Sequence, residues 1–474
     1  MYLSTSLVHR WEGLMDGEHK PKGITRRTFL TASATALSSL ALAACGQSDG
    51  GAQSGGTAGG QASAAATGAA GGEASAALKG AALKWSTWGT PGEIERFKQF
   101  TDEWNNRTGA KAELIPLPTD YEGKLLTQLS GGTGPDIFYS GDSTLSKLVA
   151  SNLIVDLTER VSGPTSKSKP EEFYEGTWGP AKTADGKIYG MPVDCNPLVF
   201  WYNKKILQEA GVTTLPADLY KESKWTWDAL TAMLEQVVAT GKRGLIFENW
   251  WGPNWAWVTT NGGKVFDGNT FVAADDAKAK EALQFVLDNL SAKTFTYSGS
   301  LPKGQGLDAM FLSQQTAFIA AGRWYLPTFK KAASIEADIV PYPTNTGKKI
   351  EPAPLGAAYL VQNVKAANQD AAFAFLTDFV SRDGQIFRLK GGGNALPSIK
   401  GADEVVSEDN LPPNWQAFID AREVGYAIWS GLANYPGLTD EINRTLDEVW
   451  LNGGEVDATL QKIAGIVKQK QGAS

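Results

Sequence analysis

Three observations predict an α/β protein built as two domains. Short apolar strand-like runs alternate with amphipathic helical segments from residue 81 onward, the 474 residues exceed what one ordinary core packs, and the 42% apolar and 20% charged composition is that of a globular chain. Each lobe is expected to carry a mostly parallel sheet flanked by helices.

The first strand is read at Ala81-Ala82-Leu83-Lys84-Trp85-Ser86-Thr87-Trp88, ending in a loop at Gly89. Thr90-Pro91-Gly92-Glu93 then has the form of a capping box with proline in the first helical turn, and Ile94, Phe97, Phe100 and Trp104 follow at near-helical spacing before a Gly109 stop. Residues 111–117 read as a second strand and 121–130 as a helix. Pro135-Asp136-Ile137-Phe138-Tyr139-Ser140 is a short buried strand, and a helix at 145–150 and a segment at 153–157 continue the rhythm. The two prolines of Gly190-Met191-Pro192-Val193-Asp194-Cys195-Asn196-Pro197 interrupt it, which places a crossing between lobes there. A second β-α series runs from Trp201 through 244–247, the helical 250–260, 278–290 and 315–320, with a return crossing at 336–343.

The N-terminus is organised differently. Arg26-Arg27-Thr28-Phe29-Leu30 opens an apolar run of small residues to Ala44, charged and then apolar as in an export signal and short for a bilayer span. The arginine pair resembles a twin-arginine signal, and Leu42-Ala43-Ala44-Cys45 resembles a bacterial lipobox whose cysteine is lipidated. Residues 46–77 are nearly all Gly, Ala, Ser, Gln and Thr, too poor in apolar surface to offset chain entropy, and are expected to be a tether. The expected layout is thus an export signal with lipobox at 1–44 and a lipidated Cys45 with linker at 45–80. The stretch before Arg26 is long for a signal, and translation from Met15 stays an open alternative.

Charge and residue inventory exclude several chemistries. Five basic and three acidic side chains fall before residue 45, so the rest of a chain of net charge −7 carries −9, which disfavours nucleic acid as a partner. His9 and His19 are the only histidines and both precede the expected cleavage point. Mature protein without histidine has no Ser-His-Asp or Cys-His mechanism and no His-containing zinc or copper site. Cys195 would be a lone thiol once Cys45 carries lipid, read as a small buried filler. No phosphate-binding Gly-x-x-x-x-Gly-Lys-Ser/Thr stretch occurs; Gly391-Gly392-Gly393-Asn394 reads as a turn and Asp267-Gly268-Asn269 as a hairpin turn. No cofactor and no metal are expected.

Several ordered motifs carry a resemblance. Gly134-Pro135-Asp136-Ile137-Phe138, Lys187-Ile188-Tyr189-Gly190-Met191-Pro192, Phe200-Trp201-Tyr202-Asn203-Lys204, Trp225-Thr226-Trp227-Asp228, Asn261-Gly262-Gly263-Lys264 and Gly322-Arg323-Trp324 together resemble the bacterial extracellular solute-binding proteins of sugar importers, the maltose-binding-protein-like family, over roughly residues 82 to 466. The resemblance implies a two-lobed periplasmic-binding-protein-like fold of type II, with a ligand cleft closed by hinge motion. With it go lobe 1 at 81–192 plus 341–366 and lobe 2 at 193–340 plus 367–474. It also implies a sugar or oligosaccharide ligand, delivery to an ABC importer permease, a membrane held through the lipid anchor, and a monomer that is not an enzyme.

A pyranose offers C–H faces and a rim of hydroxyls, so its site needs flat aromatic surfaces with Asp, Asn or Arg between them. Trp88 follows the first strand, where ligands of open α/β sheets sit; Trp85, Trp104 and Trp257 are read as core. Tyr139 and Asp142 follow the Pro-Asp strand, Asp142 being equally readable as a helix cap. Asp194 and Asn196 flank the crossing, and an unpaired carboxylate there is costly without a ligand, water or arginine. One of Trp250 and Trp251, in the dense aromatic cluster 248–257, is expected to stack on ligand. Arg323 and Trp324 match the family's cleft motif, and Asp120, Tyr121, Tyr359 and Tyr435 lie in segments expected to face the cleft.

Besides a pure adhesion or surface scaffold, which predicts no small-molecule pocket, two rival readings remain. A secreted carbohydrate-active enzyme would need only two carboxylates, for which Asp142 and Asp194 are available. A binding protein for a non-sugar solute, such as a polyamine or peptide, would also use aromatic and acidic lining, since ring quadrupoles and carboxylates both attract cations.

Overall fold

The computed structural model describes residues 78–472 apart from 118, 119 and 184; the expected export signal, Cys45 and the expected tether lie outside the described residues. The first strand, β1 (Ala82–Thr87), leads into a helix at Pro91–Thr108 whose start is the expected capping box. The Thr90 hydroxyl accepts the Glu93 N–H, the Glu93 carboxylate accepts the Thr90 N–H at 2.6 Å, and Gly109 closes the helix in the left-handed conformation at φ 71°. Phe97, Phe100 and Trp104 form its buried stripe, and β2 (Lys111–Pro116) pairs parallel to β1.

Beyond them lie β3 (Ile137–Gly141), β4 (Met191–Pro197), β5 (Val199–Asn203), β6 (Arg243–Phe247), the hairpin β7 (Phe266–Asp267) and β8 (Thr270–Phe271), β9 (Phe295–Tyr297), β10 (Thr316–Ala321), β11 (Ala337–Pro341) and β12 (Leu355–Gln362). Two five-stranded sheets result, ordered β2-β1-β3-β12-β4 and β11-β5-β10-β6-β9. Both are mixed, which corrects the expectation of mostly parallel sheets. In the first, β12 runs antiparallel to both β3 and β4; in the second, β5 runs antiparallel to β10 and β11. The antiparallel pairs arise where the chain crosses between lobes, because a crossing strand enters its sheet from the opposite end to a strand delivered by a β-α-β turn. The Asp267-Gly268-Asn269 turn is the predicted hairpin, with Gly268 at φ 57°.

Side-chain alternation along the second sheet builds two cores. Phe200, Tyr202, Leu245, Phe247, Phe318 and Val340 face one layer of helices, while Val199, Trp201, Ile246, Ile319 and Ile339 face the other. The first sheet has its own core, in which Trp85 lies 5.5 Å from Phe375 and 5.2 Å from Phe379.

That contact revises the lobe boundaries. The helix Gln369–Phe379, assigned from sequence to the second lobe, buries Phe373, Phe375, Leu376 and Phe379 in the first core, and Ile399 and Ala402 join it. Asp194 to Pro197 stay in the first sheet as the end of β4, and Pro341 and Tyr342 stay with the second. Crossings therefore fall at Leu198 and between β11 and β12, and after the helix Gln369–Phe379 the chain alternates, with Leu389, Ala395 and Leu396 packing with Trp201 and Ile246, Ile399 and Ala402 in the first core, and Val405, Val406 and Phe418 again with Trp201. Trp104 and Trp257 are buried as read, and Cys195 is fully buried with its sulfur 3.6 Å from the Pro397 carbonyl.

Candidate functional site

The carboxyl ends of β1 and β3 in one lobe and of β6 and β10 in the other converge on a cavity of about 790 Å³. Open α/β sheets present ligand sites at this edge because the loops leaving the strands are free of packing duties there. The first lobe contributes Trp88, Gly89, Thr90, Glu93, Tyr139, Gly141 and Asp142, with Asp194 and Asn196 from β4 and Gly356 to Ala358 from β12. The second contributes Glu248, Trp250, Trp324 and Tyr325, and Asn394 comes from the turn after the helix Arg382–Leu389.

Three half-buried indoles give the cavity its flat walls. Trp88 is held edge-on by Tyr121 and Tyr139, with ring centroids 5.0 and 5.3 Å away. Across the cleft Trp250 and Trp324 lie 6.5 Å apart at 57°. Both rest on glycine. A Cβ on Gly252 would sit 2.3 Å from the Trp250 ring, and one on Gly322 would sit 2.3 Å from the Trp324 ring and 2.7 Å from the Asn196 Cβ. Side chains at these two positions would push the indoles off their seats.

Polar groups line the rest. Asn196 accepts the Arg323 N–H through Oδ1 at 2.8 Å, which ties the turn carrying Trp324 to the first lobe. Glu93 accepts the Asn394 amide at 2.7 Å, and Asp142 accepts the Trp251 indole N–H at 2.7 Å across the cleft. Asp194 faces Arg388 at 3.4 Å, while that guanidinium also donates to the Val193 carbonyl at 3.0 Å and covers the Phe379 ring. The Tyr139 hydroxyl and the Asn394 Oδ1 are buried without a hydrogen-bond partner. Burial raises the carboxyl pKa of Glu93, Asp142, Asp194 and Glu248, because the charged form loses water. Asp142 is pushed up to about 7 by burial, against the lowering effect of the Trp251 hydrogen bond.

Of the sequence-read residues, Trp88, Tyr139, Asp142, Asp194, Asn196, Trp250 and Trp324 are brought together in the cavity. Asp142 is the first residue of the helix Asp142–Ala150 rather than its cap, which is Gly141. Asp194 is not the unpaired carboxylate the sequence suggested, since Arg388 meets it from 194 positions away. The remaining candidates are placed elsewhere. Trp251 is buried in the second core and reaches the site only through its indole N–H. Arg323 is buried, with Nη2 donating to the Val406 carbonyl at 3.1 Å on the side away from the cleft lining. Tyr359 is fully buried in the first core against Gly179, and Tyr435 packs half-buried on the second. Asp120 and Tyr121 border a flanking recess with Trp88, Glu122 and Gly141; Asp120 is exposed at φ 50°, and the Tyr121 hydroxyl lies 3.1 and 3.0 Å from the Ser86 and Tyr139 carbonyls.

Glu93, Glu248, Tyr325 and Asn394 were missed. Glu93 was visible as a capping residue, and the same position in the first turn after β1 turns its carboxylate to the cleft edge. Glu248 follows β6 as Trp88 follows β1, a signal the neighbouring tryptophans obscured. Asn394 carried none beyond the glycine turn before it. Aromatic walls on both lobes with acceptors between them suit a molecule that has apolar faces and a hydroxyl rim.

Known proteins share this fold. The family model described as bacterial extracellular solute-binding protein matches residues 88–386. A maltotriose-binding protein of Pyrococcus abyssi is 22% identical over 404 residues, covering 81% of each chain, and an arabinooligosaccharide-binding protein of Halalkalibacterium halodurans is 25% identical over 51% of this chain and 54% of its own. Among solved structures, a Listeria monocytogenes ABC substrate-binding protein in complex with cycloalternan superposes with a TM-score of 0.72 at 19% identity, covering 83% of this chain and 100% of that one. The maltose-bound MalE3 of T. maritima gives a TM-score of 0.69 at 19% identity over 82% and 99%. At such identities the superpositions establish the fold.

Proposed function

The chain belongs to the bacterial extracellular solute-binding proteins, and from that premise we propose that it captures a sugar or oligosaccharide between its lobes and hands it to the permease of an ABC importer. One observation carries the reading: Trp88 on one lobe and Trp250 with Trp324 on the other enclose a cavity of about 790 Å³, so a pyranose can be stacked from both sides only when the lobes are together. Ligand that touches both lobes shifts the equilibrium toward closure by its differential affinity for the closed form, and the importer reads that closure. The relatives that bind maltotriose and arabinooligosaccharides support a saccharide cargo. The twin-arginine-like and lipobox-like motifs support export and anchoring through lipid on Cys45.

The test is a thermal-shift screen of purified protein against mono- and oligosaccharides, followed by chromatography of each hit. A ligand at a hundred times its dissociation constant stabilises by about 2.7 kcal/mol. Stabilisation with the saccharide recovered intact is the expected result. Cleaved sugar would establish a carbohydrate-active enzyme instead, and stabilisation by peptides alone would keep the fold and change the cargo.

A further inference from the structure

The charge inside the cleft narrows the cargo. Glu93, Asp142, Asp194 and Glu248 all line the cavity, while among the described residues no lysine, arginine or histidine does. Arg388 stands behind the lining and is taken up by Asp194 and the Val193 carbonyl. Glu93 and Asp142 have neutral donors, Asn394 and the Trp251 indole. Glu248 is different: burial raises its pKa, the negative charge of Asp308 in the helix Leu307–Leu312 raises it further, and the Trp250 side chain lowers it. Tyr325 feels the negative charge of both carboxylates. Glu248 and the indoles of Trp250 and Trp324 line one side of the cavity and form a wall that attracts a cation through charge and through ring quadrupoles together. The buried and unpartnered Tyr139 hydroxyl on the opposite wall marks a polar group left for a ligand to satisfy.

We propose that the cargo is a saccharide bearing a protonated amino group, whose ammonium sits against Glu248 while its rings stack on the cleft tryptophans. The proposal rests on the sugar-capture reading and specifies the sugar's class. A neutral sugar would close the lobes over Glu248 with no positive charge to meet it, whereas an ammonium offsets the desolvation that closure imposes.

Calorimetric titrations of the purified protein at pH 7.5 test it, using glucosamine oligomers, aminoglycosides and pseudo-oligosaccharides with a secondary amine beside cello- and malto-oligosaccharides, N-acetylated chito-oligosaccharides and spermidine. The expected result is at least tenfold tighter binding of one amino-bearing saccharide than of its hydroxyl or N-acetyl counterpart. That preference should collapse to within threefold in Glu248→Gln, the variant first checked for an unaltered unfolding midpoint without ligand. Neutral sugars binding as tightly as every amino sugar would overturn the proposal and leave sugar capture standing. Spermidine binding in preference to any saccharide, or no saccharide binding, would overturn both.

Discussion

Replacing Asp142 by asparagine should stabilise the protein at alkaline pH and leave it unchanged at acid pH. The half-buried carboxyl has its pKa raised from 3.8 to about 7, chiefly by burial. At about 1.36 kcal/mol per pH unit the full rise corresponds to about 4 kcal/mol, and halving it for screening at a partly exposed side chain leaves about 2 kcal/mol. The sign follows from linkage. A carboxyl whose folded pKa exceeds its unfolded value binds the proton more tightly in the folded state, so it costs nothing below the unfolded pKa and costs the full amount once pH rises above about 7. Asparagine keeps an oxygen for the Trp251 indole and has no charge to desolvate. Thermal midpoints of wild type and Asp142→Asn, taken from pH 4 to 8, should diverge as pH rises and reach a gap of about 2–3 °C at pH 8 for a chain of this length. A variant no more stable than wild type at pH 8, or a gap that does not close on acidification, would refute the argument that burial governs this carboxyl.

Two further outcomes test the cleft and its support. Trp324→Ala removes one stacking wall and should weaken binding of whichever saccharide the thermal screen returns by about 2 kcal/mol, roughly thirtyfold, in a calorimetric titration; affinity within threefold of wild type would take Trp324 out of the site. Arg388→Met strips Asp194 of its buried partner and should cost about 3–5 kcal/mol in urea unfolding, with much of the loss recovered when Asp194→Asn is added, because the unpaired charge and not the missing contact is the larger penalty.

Local physics made part of this molecule legible. The Thr90–Glu93 capping box with its Gly109 stop, the turn at Gly268 and the buried stripe of Phe97, Phe100 and Trp104 depend on residues a few positions apart, and each stands where the sequence put it. Trp324 came from the family's Gly-Arg-Trp motif, while the same logic reached Trp88, because a tryptophan just beyond a strand's carboxyl end has no core to enter. It could not separate Trp250 from Trp251. One is the last residue before the helix Trp251–Thr260 and faces the cleft, the other its first residue and buried, a difference of one step in rotation.

Arg323 shows the same limit from another side. Its motif placed it in the cleft, yet the backbone N–H alone meets a lining residue, Asn196, while the guanidinium runs back to Val406.

By itself the sequence determined the α/β alternation, the helix ends, the absence of histidine beyond residue 19 and the aromatic supply of the cleft. Only the tertiary structure decided that 369–379 belongs to the first core, that Arg388 neutralises Asp194, and that Glu93 and Glu248 share one cavity. Caps, turns and periodicity are set by neighbours along the chain, whereas pairing and desolvation depend on which distant surfaces are packed together, and repeated crossings between lobes scramble that order here.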